Sequence, residues 1–198
     1  KTVRSKISFD KSIEILKNLK KDFKVHLTTD VHETSQIDQL SDLIDVFQIP
    51  AFLCRQTDLI KAAAQTKKIV NVKKGQFLSP YEVPNIFNKI ESAGNHNIMI
   101  TERGTSFGYN ALVSDMRALP TMGALGHPVI FDATHSVQQP GGLGNSSGGQ
   151  REFVPVLARA AVAVGVQGLF MESHENPDQA PSDGPNMVPF SDMPAVLD

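Results

Sequence analysis

Pro128–Gly142 reads PVIFDATHSVQQPGG, and the fold turns on how this stretch is read. Val129, Ile130 and Phe131 form a short apolar run, and polar chemistry follows at once in Asp132, Thr134, His135, Ser136 and Gln138. Pro140, Gly141 and Gly142 then break the chain, and a glycine-rich segment, GGLGNSSGG, continues to Gly149. A buried strand that ends in histidine and opens into a permissive loop matches the carboxyl-end rim of a parallel sheet or barrel.

Five further apolar, β-branched runs share this pattern: Val25–Thr29, Val46–Pro50, Ile69–Lys73, Ile98–Thr101 and Gly168–Met171. Helical spacing is read at Phe9–Lys21, Thr34–Leu43, Gln56–Gln65, Pro80–Ala93, Ala111–Ala124 and Glu152–Val164. In the first of these Ile13, Leu16 and Leu19 repeat at helical intervals, with Asp10 near the start as a cap. Strict β-α alternation predicts an α/β fold with a parallel sheet and right-handed crossovers. Doubly wound and barrel arrangements both fit the spacing. A barrel needs eight strands and typically ~250 residues, so the expectation for 198 residues is one partial (β/α)8 domain over 1–198. About six of the eight units would be present, without the first strands and the last helix. Thr2–Ser8 carries no readable pattern.

Composition narrows the partners. The chain is 40% hydrophobic and 20% charged, with a formal net charge of -2, ordinary values for a globular domain. That charge gives no reason to expect nucleic acid or a membrane surface. No run reaches the ~20 apolar residues of a membrane span. Cys54 is the single cysteine, which excludes an intrachain disulfide and fits a reducing cytoplasm.

In parallel α/β folds ligands bind beyond the carboxyl ends of the strands. Those ends carry Asp30, His32 and Glu33; Gln48; Lys73 and Lys74; Glu102 and Arg103; His135; and Glu172 and His174. Lys73, Lys74, Arg103 and Arg55 form a cationic set suited to phosphate and carboxylate. Surface ion pairs with Glu33 and Glu102 are the plainer account of the same residues. His135, Glu172 and Asp183 combine imidazole with carboxylates, a donor set for zinc, manganese or iron. His174 has equal chemistry, and spacing does not choose between it and Asp183. GGLGNSSGG lacks the lysine of a P-loop and reads as a lid or a surface loop. Cys54 follows an apolar run and reads as packed. Ser146, Ser147 and His135 make no triad, since there is no nucleophile elbow.

Five ordered motifs carry a resemblance: QIPAFLCRQTDL (Gln48–Leu59), NVKKGQF (Asn71–Phe77), TERGTSFGYN (Thr101–Asn110), FDATHSVQQPGG (Phe131–Gly142) and FMESH (Phe170–His174). Together they resemble the 3-deoxy-D-manno-octulosonate 8-phosphate synthase family. The resemblance implies a TIM barrel that condenses phosphoenolpyruvate with D-arabinose 5-phosphate and water, for lipopolysaccharide synthesis, as a cytoplasmic homotetramer. It implies that Lys73 and Arg103 hold the phosphoenolpyruvate phosphate, with the backbone at Ala51 nearby. Asp30 resembles the aspartate facing the sugar hydroxyls, and Arg55 the arginine that reaches a neighbouring subunit's sugar phosphate. Gln48 and Gln76 resemble polar residues of the pocket. His135, Glu172 and Asp183 resemble three of four ligands of a divalent metal, so within the resemblance Asp183 is preferred to His174. Gly75, the PGG after His135 and SDGPNM (Ser182–Met187) resemble the metal-dependent branch. The branch-defining cysteine or asparagine belongs to a first strand not found in this sequence, and the KANRSS-like loop is not recognisable. The nearest alternative enzyme is the seven-carbon synthase that uses erythrose 4-phosphate; the non-catalytic alternative is a phosphate-ligand-binding barrel fragment.

Overall fold

The computed structural model describes residues 8–142 and 147–198. Thr2–Ile7 and the Leu143–Ser146 part of the glycine-rich segment, Ser146 included, lie outside the described residues. Two compact units are present: Lys1–Lys73 with Glu82–Met99, and Lys74–Tyr81 with Ile100–Asp198.

In the first unit, helix α1 (Phe9–Phe23) precedes strand β1 (Thr28–Asp30), α2 (Thr34–Leu40), β2 (Val46–Ile49), α3 (Thr57–Gln65), β3 (Ile69–Lys73) and α4 (Pro84–Glu91). The strands are parallel and in sequence order, with Asp30 opposite Gln48 and Gln48 opposite Asn71. Phe47, Ile49, Val70 and Val72 are fully buried, as expected of strands covered on both faces. Ser8 rather than Asp10 caps α1, its Oγ accepting from the Lys11 N–H at 3.2 Å. The first strand begins three residues later than the sequence suggests. His26 is left with a 93% exposed side chain, and the Leu27 N–H is taken by the Asp45 carboxylate at 2.9 Å.

The second unit takes up β4 (Ile98–Glu102) from Ile100, followed by α5 (Ala118–Gly123), β5 (Val129–Asp132), α6 (Val154–Val164), β6 (Gly168–Phe170) and a short α7 (Met193–Leu197). Its strands are also parallel, with β5 between β4 and β6. All four residues of β5 are buried, Phe131 and Asp132 completely. Helix α6 carries proline in its first turn and ends at Gly165 (φ 100°), whose N–H closes on the Ala161 and Val162 carbonyls.

The helix expected at Ala111–Ala124 is corrected to its second half. Leu112–Val113 instead pairs antiparallel with Thr105–Ser106. The Asp115 side chain then accepts from the Arg117 N–H at 3.0 Å, turning the chain before α5 begins. Six parallel strands that alternate with helices among the described residues make this an α/β chain, and Ser173–His174 forms a further short parallel pair with Val188–Pro189. Among the described residues no helix is long and apolar enough to cross a membrane.

Candidate metal centre and anion-binding residues

β5 ends in Asp132, and the chain tightens at once into a turn of 3-10 helix at His135–Val137. The Asp132 carboxylate organises that turn. Its Oδ1 accepts from the Thr134 N–H (3.1 Å), the Thr134 hydroxyl (2.9 Å) and the His135 N–H (2.8 Å). Its Oδ2 lies 2.7 Å from His135 Nδ1. An ionised carboxylate only accepts, so the imidazole carries its proton on Nδ1 and presents Nε2 as a donor atom. Nε2 lies 3.7 Å from Glu172 Oε1. Glu172 follows β6, and its N–H bonds to the Thr134 hydroxyl at 3.2 Å, so the same turn fixes both residues.

Asp183 arrives from the loop after Glu172. This loop folds back through turns of 3-10 helix at Pro177–Gln179 and Gly184–Asn186. A Cβ at Gly184 would fall 2.2 Å from the Pro177 carbonyl oxygen, so the close approach requires glycine. Asp183 itself has φ 54°, a left-handed conformation that aspartate tolerates better than most residues. His135, Glu172 and Asp183 offer donor atoms all within 4.8 Å of one another. Imidazole with two carboxylates, and a carboxylate behind the imidazole, fits a zinc-, manganese- or iron-type ion. His174 is not part of this group: its Nδ1 accepts from the Asn176 N–H at 3.0 Å.

Arg103 leaves the end of β4 and is 5% exposed. One amino group, Nη2, donates to the His135 carbonyl (3.1 Å) and to Gln138 Oε1 (2.9 Å). Its Nε is buried without a partner, so this edge of the guanidinium is ready for an anion. Burial pulls the pKa of Arg103 below its usual value, while Asp132, Asp183, Glu102 and Glu172 oppose the shift. Gln138 connects the two chemistries, since its Nε2 donates to Asp183 Oδ1 at 2.7 Å. Gln76, also in this unit, is buried, with Oε1 unpartnered.

In the first unit, Asp30, Gln48 and Asn71 form a chain across three strands. Gln48 Nε2 donates to Asp30 Oδ1 at 2.6 Å, and Asn71 Nδ2 donates to Gln48 Oε1 at 3.0 Å. Lys73 is buried at the end of β3, two residues beyond Asn71 and on the same face. Ala51 is buried at the start of a 3-10 turn, and Arg55 is exposed just after it.

Two residues of the expected charged rim serve other ends. Lys74 is fully buried and bonds to the carbonyls of Gly75 (3.2 Å) and Leu78 (3.0 Å), with Glu102 Oε2 at 3.5 Å. It has no donor to spare for a phosphate. Glu33 is the N-cap of α2 in a capping box, where Gln36 Oε1 accepts from the His32 and Glu33 N–H groups at 2.8 and 3.3 Å. Cys54 is fully buried, as its apolar context predicts. Asp132, Thr134, Gln138 and Asn71 received no role from the sequence. The polar Asn71 between Val70 and Val72, and an aspartate three residues before His135, were the available signals.

Known proteins resemble this chain over most of its length. Among curated relatives, the 2-dehydro-3-deoxyphosphooctonate aldolase of Brucella ovis is 63% identical over 97% of this chain and 69% of its own length. Those of Brucella anthropi and Brucella abortus are each 62% identical over the same shares. The DAHP synthetase I family profile matches residues 7–197. The chain belongs to the DAHP synthetase I family.

Proposed function

We propose that the chain condenses phosphoenolpyruvate with D-arabinose 5-phosphate and water, yielding 3-deoxy-D-manno-octulosonate 8-phosphate and inorganic phosphate. The observation that carries this reading is the 63% identity to relatives named for the phosphooctonate product. Its site has what the reaction asks for: a buried guanidinium with an open edge beside a three-ligand cluster.

The reaction forms a bond from C3 of phosphoenolpyruvate to the aldehyde carbon, adds water at C2 and then expels phosphate from C2. Arg103, held by the His135 carbonyl and Gln138, binds the phosphate through its remaining donors and stabilises charge as phosphate leaves. Lys73, in the first unit, keeps the phosphate role that the resemblance implies, as Ala51 keeps its backbone contact. Asp30, oriented by Gln48, is given to the sugar hydroxyls, Arg55 to the sugar phosphate and Gln76 to the pocket wall. His135, Glu172 and Asp183 hold the divalent ion, with Asp132 setting the tautomer of His135. When bound, that ion supplies Lewis-acid polarisation of the aldehyde or a lowered pKa for water. A complete (β/α)8 barrel, a homotetramer and a cytoplasmic location belong to the same proposal.

Phosphate release from phosphoenolpyruvate, measured with each aldose phosphate and with added Mn2+, tests the reading. Arabinose 5-phosphate should support release, and a preference for erythrose 4-phosphate would transfer the chain to the seven-carbon reaction in the family's name. Release with neither sugar, alongside tight phosphoenolpyruvate binding, would make the chain a binding module. His135→Ala should lose metal and at least a hundredfold in rate, about 3 kcal/mol of transition-state stabilisation. Full activity with full metal content in that variant would end the metal assignment.

A further inference from the structure

Gln138 has no role in the reading above beyond touching Arg103, yet its placement is unusually determined. The backbone on either side is fixed: the Gln138 N–H bonds to the His135 carbonyl, and Gln138 pairs with Gly149 in a short antiparallel ladder. The side chain then spends both ends of its amide, Oε1 on the Arg103 guanidinium and Nε2 on the Asp183 carboxylate. A flipped amide would aim its NH2 at a cation and its oxygen at a carboxylate. The chemistry of the two neighbours therefore admits one orientation.

Asp183 needs such a partner. It sits on a loop in the left-handed region, with a carboxylate that is neither deeply buried nor held by its own turn. His135 is locked by Asp132, and Glu172 is tied at its backbone to Thr134. For Asp183 the bond from Gln138 does the corresponding work, fixing the rotamer before any ion arrives.

We infer that Gln138 is a positioning residue of the metal centre, acting through Asp183 and tying that ligand to the arginine of the anion site. The inference rests on the metal reading made under Proposed function. Gln138→Met keeps the length and removes both bonds. It should weaken Mn2+ binding by about ten- to a hundredfold, followed by titrating free Mn2+ without substrates. Metal-free thermal stability should stay near wild type. Because the effect passes through Asp183, it should vanish to within about twofold when Asp183→Asn is already present. Gln138→Leu makes the same removal with a different shape and serves if the methionine variant fails to fold.

Unchanged Mn2+ affinity in Gln138→Met overturns the inference while leaving the metal centre standing. An equal loss in the presence and absence of Asp183→Asn also overturns it, because the residue would then act on the fold at large. A wild-type chain that takes up no Mn2+ overturns the metal reading and the inference together.

Discussion

Two groupings of opposite charge lie in the second unit, each joining a buried cation to a carboxylate: Lys74 with Glu102, and Arg103 with the half-buried Asp183 through Gln138. In the first, the chain's own backbone takes up Lys74 and one oxygen of Glu102, while Glu102 Oε2 has no hydrogen bond and only the Lys74 ammonium at 3.5 Å. Lys74 bonds to the Gly75 and Leu78 carbonyls, and Glu102 Oε1 accepts from the Arg103 and Gly104 N–H groups at 2.9 and 2.7 Å. In the second, the neighbours orient the groups without exhausting them. Arg103 keeps an unpartnered Nε, and three ligand side chains face one another. A buried charge that satisfies its own loop holds the fold. A buried charge that is oriented and left with capacity is set for a ligand.

The largest effect that could break this contrast is Lys74→Met. It strips the partner from a nearly inaccessible carboxylate, since the Glu102 side chain is 3% exposed. Removing one member of such a pair costs about 3–5 kcal/mol, roughly 10 °C in melting temperature for a chain of this size. Calorimetry should record that loss, while Mn2+ affinity of the folded fraction stays put. A variant with normal stability but impaired phosphoenolpyruvate binding would move Lys74 into the anion site and erase the distinction.

Asp132→Asn probes the other grouping. The asparagine keeps an oxygen for the Thr134 and His135 N–H groups, but its amide NH2 cannot accept the His135 Nδ1 proton. The imidazole is then pushed toward the tautomer with its proton on Nε2, the atom facing Glu172. Loss of such a supporting carboxylate weakens metal binding by roughly 10–100-fold, readable in the same Mn2+ titration. Unchanged affinity would make this turn as purely structural as the Lys74 loop.

Much of this was legible in the sequence, and the gaps have physical causes. Apolar runs fall on β2 to β6; in β2 to β5 most residues are buried, as strands covered on both faces need continuous hydrophobicity, while β6 is only half-buried. His135, Glu172 and Asp183 stand out because imidazole and carboxylate at strand ends are chemically conspicuous. The Ala111–Ala124 helix failed in its first half because Leu112 and Val113 suit a strand equally well, and the hairpin partner at Thr105–Ser106 decided the matter. Lys73 and Lys74 are neighbours in sequence and identical in type, so composition assigned both to the rim. Lys73 closes β3, whereas Lys74 lies just past the strand and turns its ammonium onto the Gly75 and Leu78 carbonyls, with Glu102 at 3.5 Å. Gln138 was invisible as a link because Arg103 and Asp183 are distant in sequence and meet only through the fold.

The smallest effect sharpens the comparison by supplying a pair near solvent. In the first unit, Lys20 Nζ lies 2.9 Å from Asp45 Oδ1, with side-chain exposures of 36% and 24%. Partial burial raises the Asp45 pKa, but the Leu27 N–H and Lys20, with a weaker contribution from His26, outweigh it and leave the pKa below 3.8. A depressed carboxylate pKa stabilises the fold above the unfolded value, and that stability is lost as pH falls through the folded one. Asp45→Asn should therefore cost about 1 kcal/mol near neutrality, discounted for solvent screening. The gap should close as pH drops below 3.8. Urea melts of both proteins across that range measure it. A cost as large as that of Lys74→Met, or one that persists in acid, would show that burial is not what separates structural charge pairs in this chain.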